Sequence, residues 1–214
     1  MPAAQLFAVR LPTTRQVVIG VFLAFGMWAA VFGLKVANFW LGLGCAALLL
    51  AGLSAVWGGL PLARREITIP QTGLAVLSAA GLYGLFAIGR LASVCRLSSA
   101  SGQIGAVYAI RQEAAPVLIA LLLIFVTSPC EELFWRGFLQ RWGMARFGEV
   151  RGWLLATLAY AGAHLVSGNF MLVGAALTAG LFWGGLYLRT RSLYVCIVSP
   201  ALWTVAIFLL WPLS

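Results

Sequence analysis

Two of the five acidic residues in this chain are adjacent, in Ser128-Pro129-Cys130-Glu131-Glu132-Leu133-Phe134-Trp135-Arg136-Gly137. All five are glutamates, and the doublet directly follows the apolar run from Ala114 to Val126. An ionised carboxylate placed alone in hydrocarbon costs several kcal/mol or more, so an intramembrane pair marks a functional site by default. Successive helical residues are about 100° apart, so Glu131 and Glu132 face different ways. Arg136 follows Glu132 by four residues, the spacing of a helical ion pair, and lies about 140° from Glu131. Glu132–Arg136 therefore reads as a positioning pair, leaving Glu131 free to act as a general base on water. Two carboxylates in a dry place cannot both ionise cheaply, which couples their titrations. A plain buried salt bridge and a proton or ion relay remain alternatives from this spacing. A Cys130 nucleophile is disfavoured, since an apolar setting beside carboxylates opposes its thiolate.

The chain has one histidine, His164, within Tyr160-Ala161-Gly162-Ala163-His164. Tyr160 is one turn earlier on the same face, and the small residues between them permit close approach of another helix. An interhelical hydrogen bond would explain such a histidine equally well. If its neighbour carries Glu131, the carboxylate and imidazole could share one water, one taking its proton and the other orienting it. One histidine and two glutamates, one of them facing Arg136, make a poor ligand set, and there is no HExxH. No metal and no cofactor is expected.

The elements that must carry these groups are membrane helices. The composition is 63% hydrophobic and 9% charged, with a mean hydropathy of +1.01. That pattern predicts an all-α, polytopic transmembrane helix bundle without a second domain. Expected are a cytoplasmic tail over 1–15 and a single bundle over 16–214. About seven spans are expected, near 16–34, 39–60, 72–94, 113–147, 152–166, 170–188 and 193–210. The first is read as a retained span, because its apolar run is long for a signal-peptide core. Residues 96–112 are too polar and broken to cross, and read as interfacial or re-entrant. With the N-terminus inside, ten arginines fall on the cytoplasmic side, against Lys35, Arg96 and Arg111 outside. This predicts N-in/C-out, with the glutamate motif toward the cytoplasmic half. The formal charge of +9 is scattered singly between apolar runs, so membrane lipid headgroups are the expected partners and nucleic acid is not. Cys45, Cys95, Cys130 and Cys196 read as small buried hydrophobes. Oligomeric state is not readable.

With both constellations in place, the chain resembles the CPBP intramembrane proteases, the family of CAAX prenyl-protein endopeptidases and of bacteriocin-processing or immunity proteins. Glu131-Glu132 and Arg136 match its EExxxR motif, followed by the usual Gly137. Tyr160 to His164 match its second motif, with Tyr where Phe is usual. Gly184–Thr190 and Ser192-Leu193 resemble the segment before the last motif, so the family-like core covers about 113–210. The resemblance implies that Glu131 and His164 activate water, supported by Glu132 and Arg136, in a metal-independent glutamic-type cleavage. The implied substrate is a protein cut in or near a membrane-embedded segment, in sorting or maturation. The last motif, HxxxN, is altered: Pro200 stands where His would be and Thr204 where Asn would be. In the family these two stabilise the oxyanion, and losing one such donor typically lowers the rate about 100- to 1,000-fold. Thr204 still offers a hydroxyl, and Tyr160 is a further supporting candidate. Three functions follow: an active peptidase, an impaired relative acting as a membrane binding or immunity protein, and a proton-coupled carrier. No inverted repeat favours the carrier. The resemblance and the compact size together point to a bacterial inner membrane.

Overall fold

Polar residues that favour helix starts stand between the apolar runs, and they set where each helix begins. Thr13 caps the first helix through a reciprocal pair with Gln16, Asn38 and Thr68 cap the next two, and Asn169 and Ser192 cap the last two. Gly59 and Gly148 follow helix ends at φ of 77° and 88°, a backbone region that a side chain rarely enters.

The computed structural model describes residues 9–213, so residues 1–8 of the expected tail lie outside the described residues. In chain order the helices are α1 (Thr14–Trp28), α2 (Phe39–Gly58), α3 (Ile69–Arg96), α4 (Ala100–Ala109) and α5 (Pro116–Leu122). They continue as α6 (Ser128–Glu132), α7 (Arg141–Phe147), α8 (Glu149–Ala163), α9 (Phe170–Thr190) and α10 (Leu193–Val205). No strand occurs among the described residues. Wide π-helical turns extend α1 over Ala29–Gly33 and α10 over Ala206–Leu210, and others join α5, α6 and α7 into one rod. Among the described residues, six helices are long and apolar enough to cross a membrane: Thr14–Gly33, Phe39–Gly58, Ile69–Arg96, Pro116–Phe147, Phe170–Thr190 and Leu193–Leu210. The other expected span is shorter. It is the 15-residue α8, which tightens at His164 into a four-residue 3₁₀ turn.

Hydrogen bonds sort the helix ends into two groups. At one, Arg141 Nη2 donates to the carbonyls of Arg10 (2.8 Å) and Gly58 (2.7 Å), Ser192 Oγ donates to Glu66 Oε2 (2.8 Å), and Arg191 pairs with Glu149. At the other, Phe39 N donates to Glu113 Oε2 (2.8 Å) and Asn169 Nδ2 to the Gln103 carbonyl (2.8 Å). Residues 96–112, expected to lie along the interface or re-enter, form α4 and the start of a 3₁₀ turn at this second end. Trp40 Nε1 donates to the Ile110 carbonyl there (3.1 Å), which ties the segment to α2.

The main core lies between α1, α2, α8 and the π stretch Leu133–Gln140, with Trp28, Leu50, Phe134, Trp135 and Phe138 almost wholly buried. Aromatic side chains dominate because each covers a large apolar area with few rotatable bonds. On the far side, Trp183 Nε1 donates to Ser199 Oγ (3.2 Å), and the Ser199 and Ser78 hydroxyls stand 2.8 Å apart. This buried chain of polar groups fastens α9, α10 and α3 together.

Candidate active site

The rod 116–147 and α8 make an antiparallel pair joined at Gly148. Where they part, Gly143 and Gly152 meet backbone to backbone, and a Cβ on Gly152 would run into Gly143 and Met144. Glu131 and His164 lie about sixteen or seventeen residues on either side of that turn, which at about 1.5 Å per residue brings them to matching heights. Both line one cavity of about 200 Å³, together with Glu132, Tyr160, Pro200 and Thr204. Glu131 stands near the middle of Pro116–Phe147, and the cavity runs from there past Trp40, Ile110 and Phe208 toward the end that holds Glu113. A larger apolar groove of about 580 Å³ adjoins it between α3, α4, α9 and α10, sharing Val107, Leu172, Trp203, Thr204 and Phe208.

Around the motif the rod is not regular α-helix. Pro129 has no N–H to give, and the turn before it, Leu123–Thr127, is π-helical. A second π stretch, Leu133–Gln140, begins just after the glutamates. Such widened turns recur at functional sites because they re-aim side chains that a regular helix would stack. Across the second junction Arg136 Nη1 still reaches Glu132 Oε1 at 2.6 Å, with both side chains 3% exposed. The guanidinium also lies 5.2 Å from the Tyr160 ring centre and 5.8 Å from that of Trp183. Glu132 Oε2 is buried with no hydrogen-bond partner among the described residues. Glu131 accepts no side-chain hydrogen bond from the described residues and faces the cavity half-buried.

His164 is more constrained than its sequence context suggests. Nδ1 is 2.9 Å from the Tyr160 carbonyl, which can only accept, so this nitrogen carries the proton. Nε2 then holds the lone pair, and the indole N–H of Trp28, which can only donate, points at it from 3.2 Å. Both contacts demand the same neutral tautomer. The rings of Trp28, Phe32 and Tyr160 pack edge-on to the imidazole, with centroids 6.0, 5.2 and 4.9 Å away. Tyr160 thus acts on His164 through its backbone carbonyl and its ring. Sequence reasoning passed over Trp28: it is one of nine tryptophans, 136 residues from its partner, and no local pattern marks it.

At the altered last motif the Thr204 hydroxyl is already committed, and the neighbouring hydroxyls of Ser199 and Tyr194 lie off the cavity wall. Thr204 Oγ1 donates to the Pro200 carbonyl one turn back (2.6 Å), Ser199 is held between Ser78 and Trp183, and Tyr194 Oη is 2.9 Å from Thr72 Oγ1. Cys130 is half-buried and Cys196 buried, whereas Cys45 and Cys95 are exposed on the outer faces of their helices, contrary to the expectation that all four are buried. The outward faces of spanning helices meet lipid, where a small apolar side chain is as well placed as in the core. No three His, Cys, Asp or Glu side chains among the described residues gather as metal ligands would.

Residues 113–206 match a family model, that of the type II CAAX prenyl endopeptidase Rce1-like proteins. The resemblance to the CAAX protease family is shown over this stretch. The Rce1-like segment holds Glu131, Glu132, Arg136, Tyr160, His164 and Thr204, and leaves out α1 to α4, and Trp28 with them. No curated protein and no solved structure matches the chain. Six apolar helices among the described residues and a segment similar to a family of membrane proteases make this an integral membrane protein, and endopeptidase activity is the chemistry that the likeness over 113–206 suggests.

Proposed function

We propose that the protein is a metal-independent, glutamic-type intramembrane endopeptidase. The observation that carries this reading is the division of labour in the doublet. Glu132 is tied to Arg136 at 2.6 Å, while the Glu131 carboxylate has no hydrogen-bond partner among the described residues and shares a cavity with His164. Glu131 takes a proton from a water whose oxygen attacks the scissile carbonyl carbon. The tetrahedral intermediate then collapses, the C–N bond breaks, and the proton passes from Glu131 to the leaving amine. His164 Nε2 is the one imidazole atom able to accept from that water, since Nδ1–H is committed to the Tyr160 carbonyl. Glu132 and Arg136 hold the helix that presents Glu131.

The substrate is a protein with a membrane-embedded segment, cut during sorting or maturation, and the adjoining apolar groove supports this because it shares Trp203, Thr204 and Phe208 with the cavity. A bacterial inner membrane is the setting we assign. A second reading, an impaired relative acting as a binding or immunity protein, is favoured by one observation: Pro200 has no side-chain donor and Thr204 already gives its proton to the Pro200 carbonyl, leaving the oxyanion without an evident side-chain donor from the last motif.

Glu131→Gln decides between them, since it keeps the shape and removes the base. Membrane and secreted fractions of cells with and without the protein are compared for C-terminally trimmed chains, and trimming is then measured with the variant. The expected result is a loss of about 100-fold or more. Trimming that continues unchanged in a folded Glu131→Gln variant overturns the peptidase reading.

A further inference from the structure

In the peptidase reading the attacking water needs a His164 lone pair that Trp28 already occupies. A neutral imidazole has one lone pair, here on Nε2, and a water held for attack needs it. In this structure that lone pair receives the Trp28 indole N–H at 3.2 Å. Trp28 is 1% exposed and is not part of the cavity wall, so it approaches the imidazole from the core side. It is braced edge-on by Trp135 (5.8 Å between centroids) and stacked near Phe32 (6.3 Å), which fixes where its N–H points.

We propose that Trp28 is a positioning residue for His164, holding Nε2 in the resting site and yielding it to the hydrolytic water when substrate is bound. The proposal rests on the peptidase reading for its second half only. Two contacts divide the work. The Tyr160 carbonyl sets the tautomer and ring orientation through Nδ1–H, and Trp28 keeps Nε2 from binding a stray water. Water and the indole compete for one acceptor, so the resting contact lowers the population of the water-bound imidazole by about the strength of one hydrogen bond. Of the groups facing His164, Phe32 is apolar and Tyr160 offers its ring and carbonyl, so Trp28 is the side-chain donor that reaches the imidazole nitrogens.

A single histidine makes the test clean, because protein labelled with ring-¹⁵N histidine and indole-¹⁵N tryptophan, in lipid nanodiscs, shows one imidazole. The wild type is expected to show a protonated Nδ1, a bare Nε2, and a coupling across the hydrogen bond from one indole N–H to Nε2. Trp28→Phe is expected to abolish the coupling and keep the Nδ1–H tautomer. It should also raise kcat about fivefold on a quenched fluorogenic peptide with an apolar C-terminal segment, with KM unchanged. A wild-type spectrum with Nε2 protonated, or without the indole coupling, overturns the proposal, and this holds even if the variant fails to fold. A folded Trp28→Phe with lower kcat overturns the release step. If the wild type cuts nothing, the peptidase reading and the release step fail together, while the spectrum still decides the Trp28 contact.

Discussion

Removing Arg136 tests whether the Glu132 pair is the support that frees Glu131. The two side chains are 2.6 Å apart and 3% exposed, so neither can turn to bulk water when its partner goes. Arg136→Met keeps an apolar stem against the Tyr160 and Trp183 rings but leaves a carboxylate buried alone. Breaking one partner of such a pair costs about 3–5 kcal/mol, and the lost cation–π contact adds about 1 kcal/mol. Glu132→Gln is milder, at about 1–2 kcal/mol, because its amide oxygen still accepts from the guanidinium. The double variant has no buried charge left to strand, so it should be more stable than Arg136→Met alone. The expected coupling energy is at least about 2 kcal/mol, within the range seen for contacting charged pairs. Equilibrium unfolding in mixed micelles, read by tryptophan fluorescence, measures all four proteins. If the two single effects simply add, to within about 0.5 kcal/mol, the pair does not hold the helix and the division of roles in the doublet is wrong.

Two further outcomes follow from contacts already described. Gly152→Ala drives a methyl into the Gly143–Met144 backbone and should destabilise by more than about 3 kcal/mol in the same unfolding assay. Thr204→Val should change kcat less than about tenfold, because the threonine proton is already given to the Pro200 carbonyl; a drop of 100-fold would make that hydroxyl an oxyanion donor.

Much of the scaffold is legible in the sequence. The apolar runs expected from about 16, 39, 72, 170 and 193 start at or within a few residues of Thr14, Phe39, Ile69, Phe170 and Leu193, because apolar length is a local property. The Glu132–Arg136 contact is local too, one helical turn long. Other features depend on distant parts of the chain. The π turns flanking the glutamates come from Pro129 and from packing, and an α-helical wheel does not anticipate them. Likewise, α4 forms because Gln103, Tyr108 and Ile110 find partners on α9, α10 and α2. The indole that meets His164 comes from a helix outside the motif-bearing half. A tryptophan in an oily run looks the same whether it only packs or also donates a hydrogen bond.

The Gly148 turn has a quieter consequence. Since the acid and the imidazole hang from it like weights on two equal cords, the number of residues along each cord belongs to the chemistry as much as the residues do. One residue added within either arm would shift its group by about 1.5 Å and swing it about 100° away. Extra length at the surface turn between Phe147 and Glu149, if the glycine contact survived, would leave both hanging level.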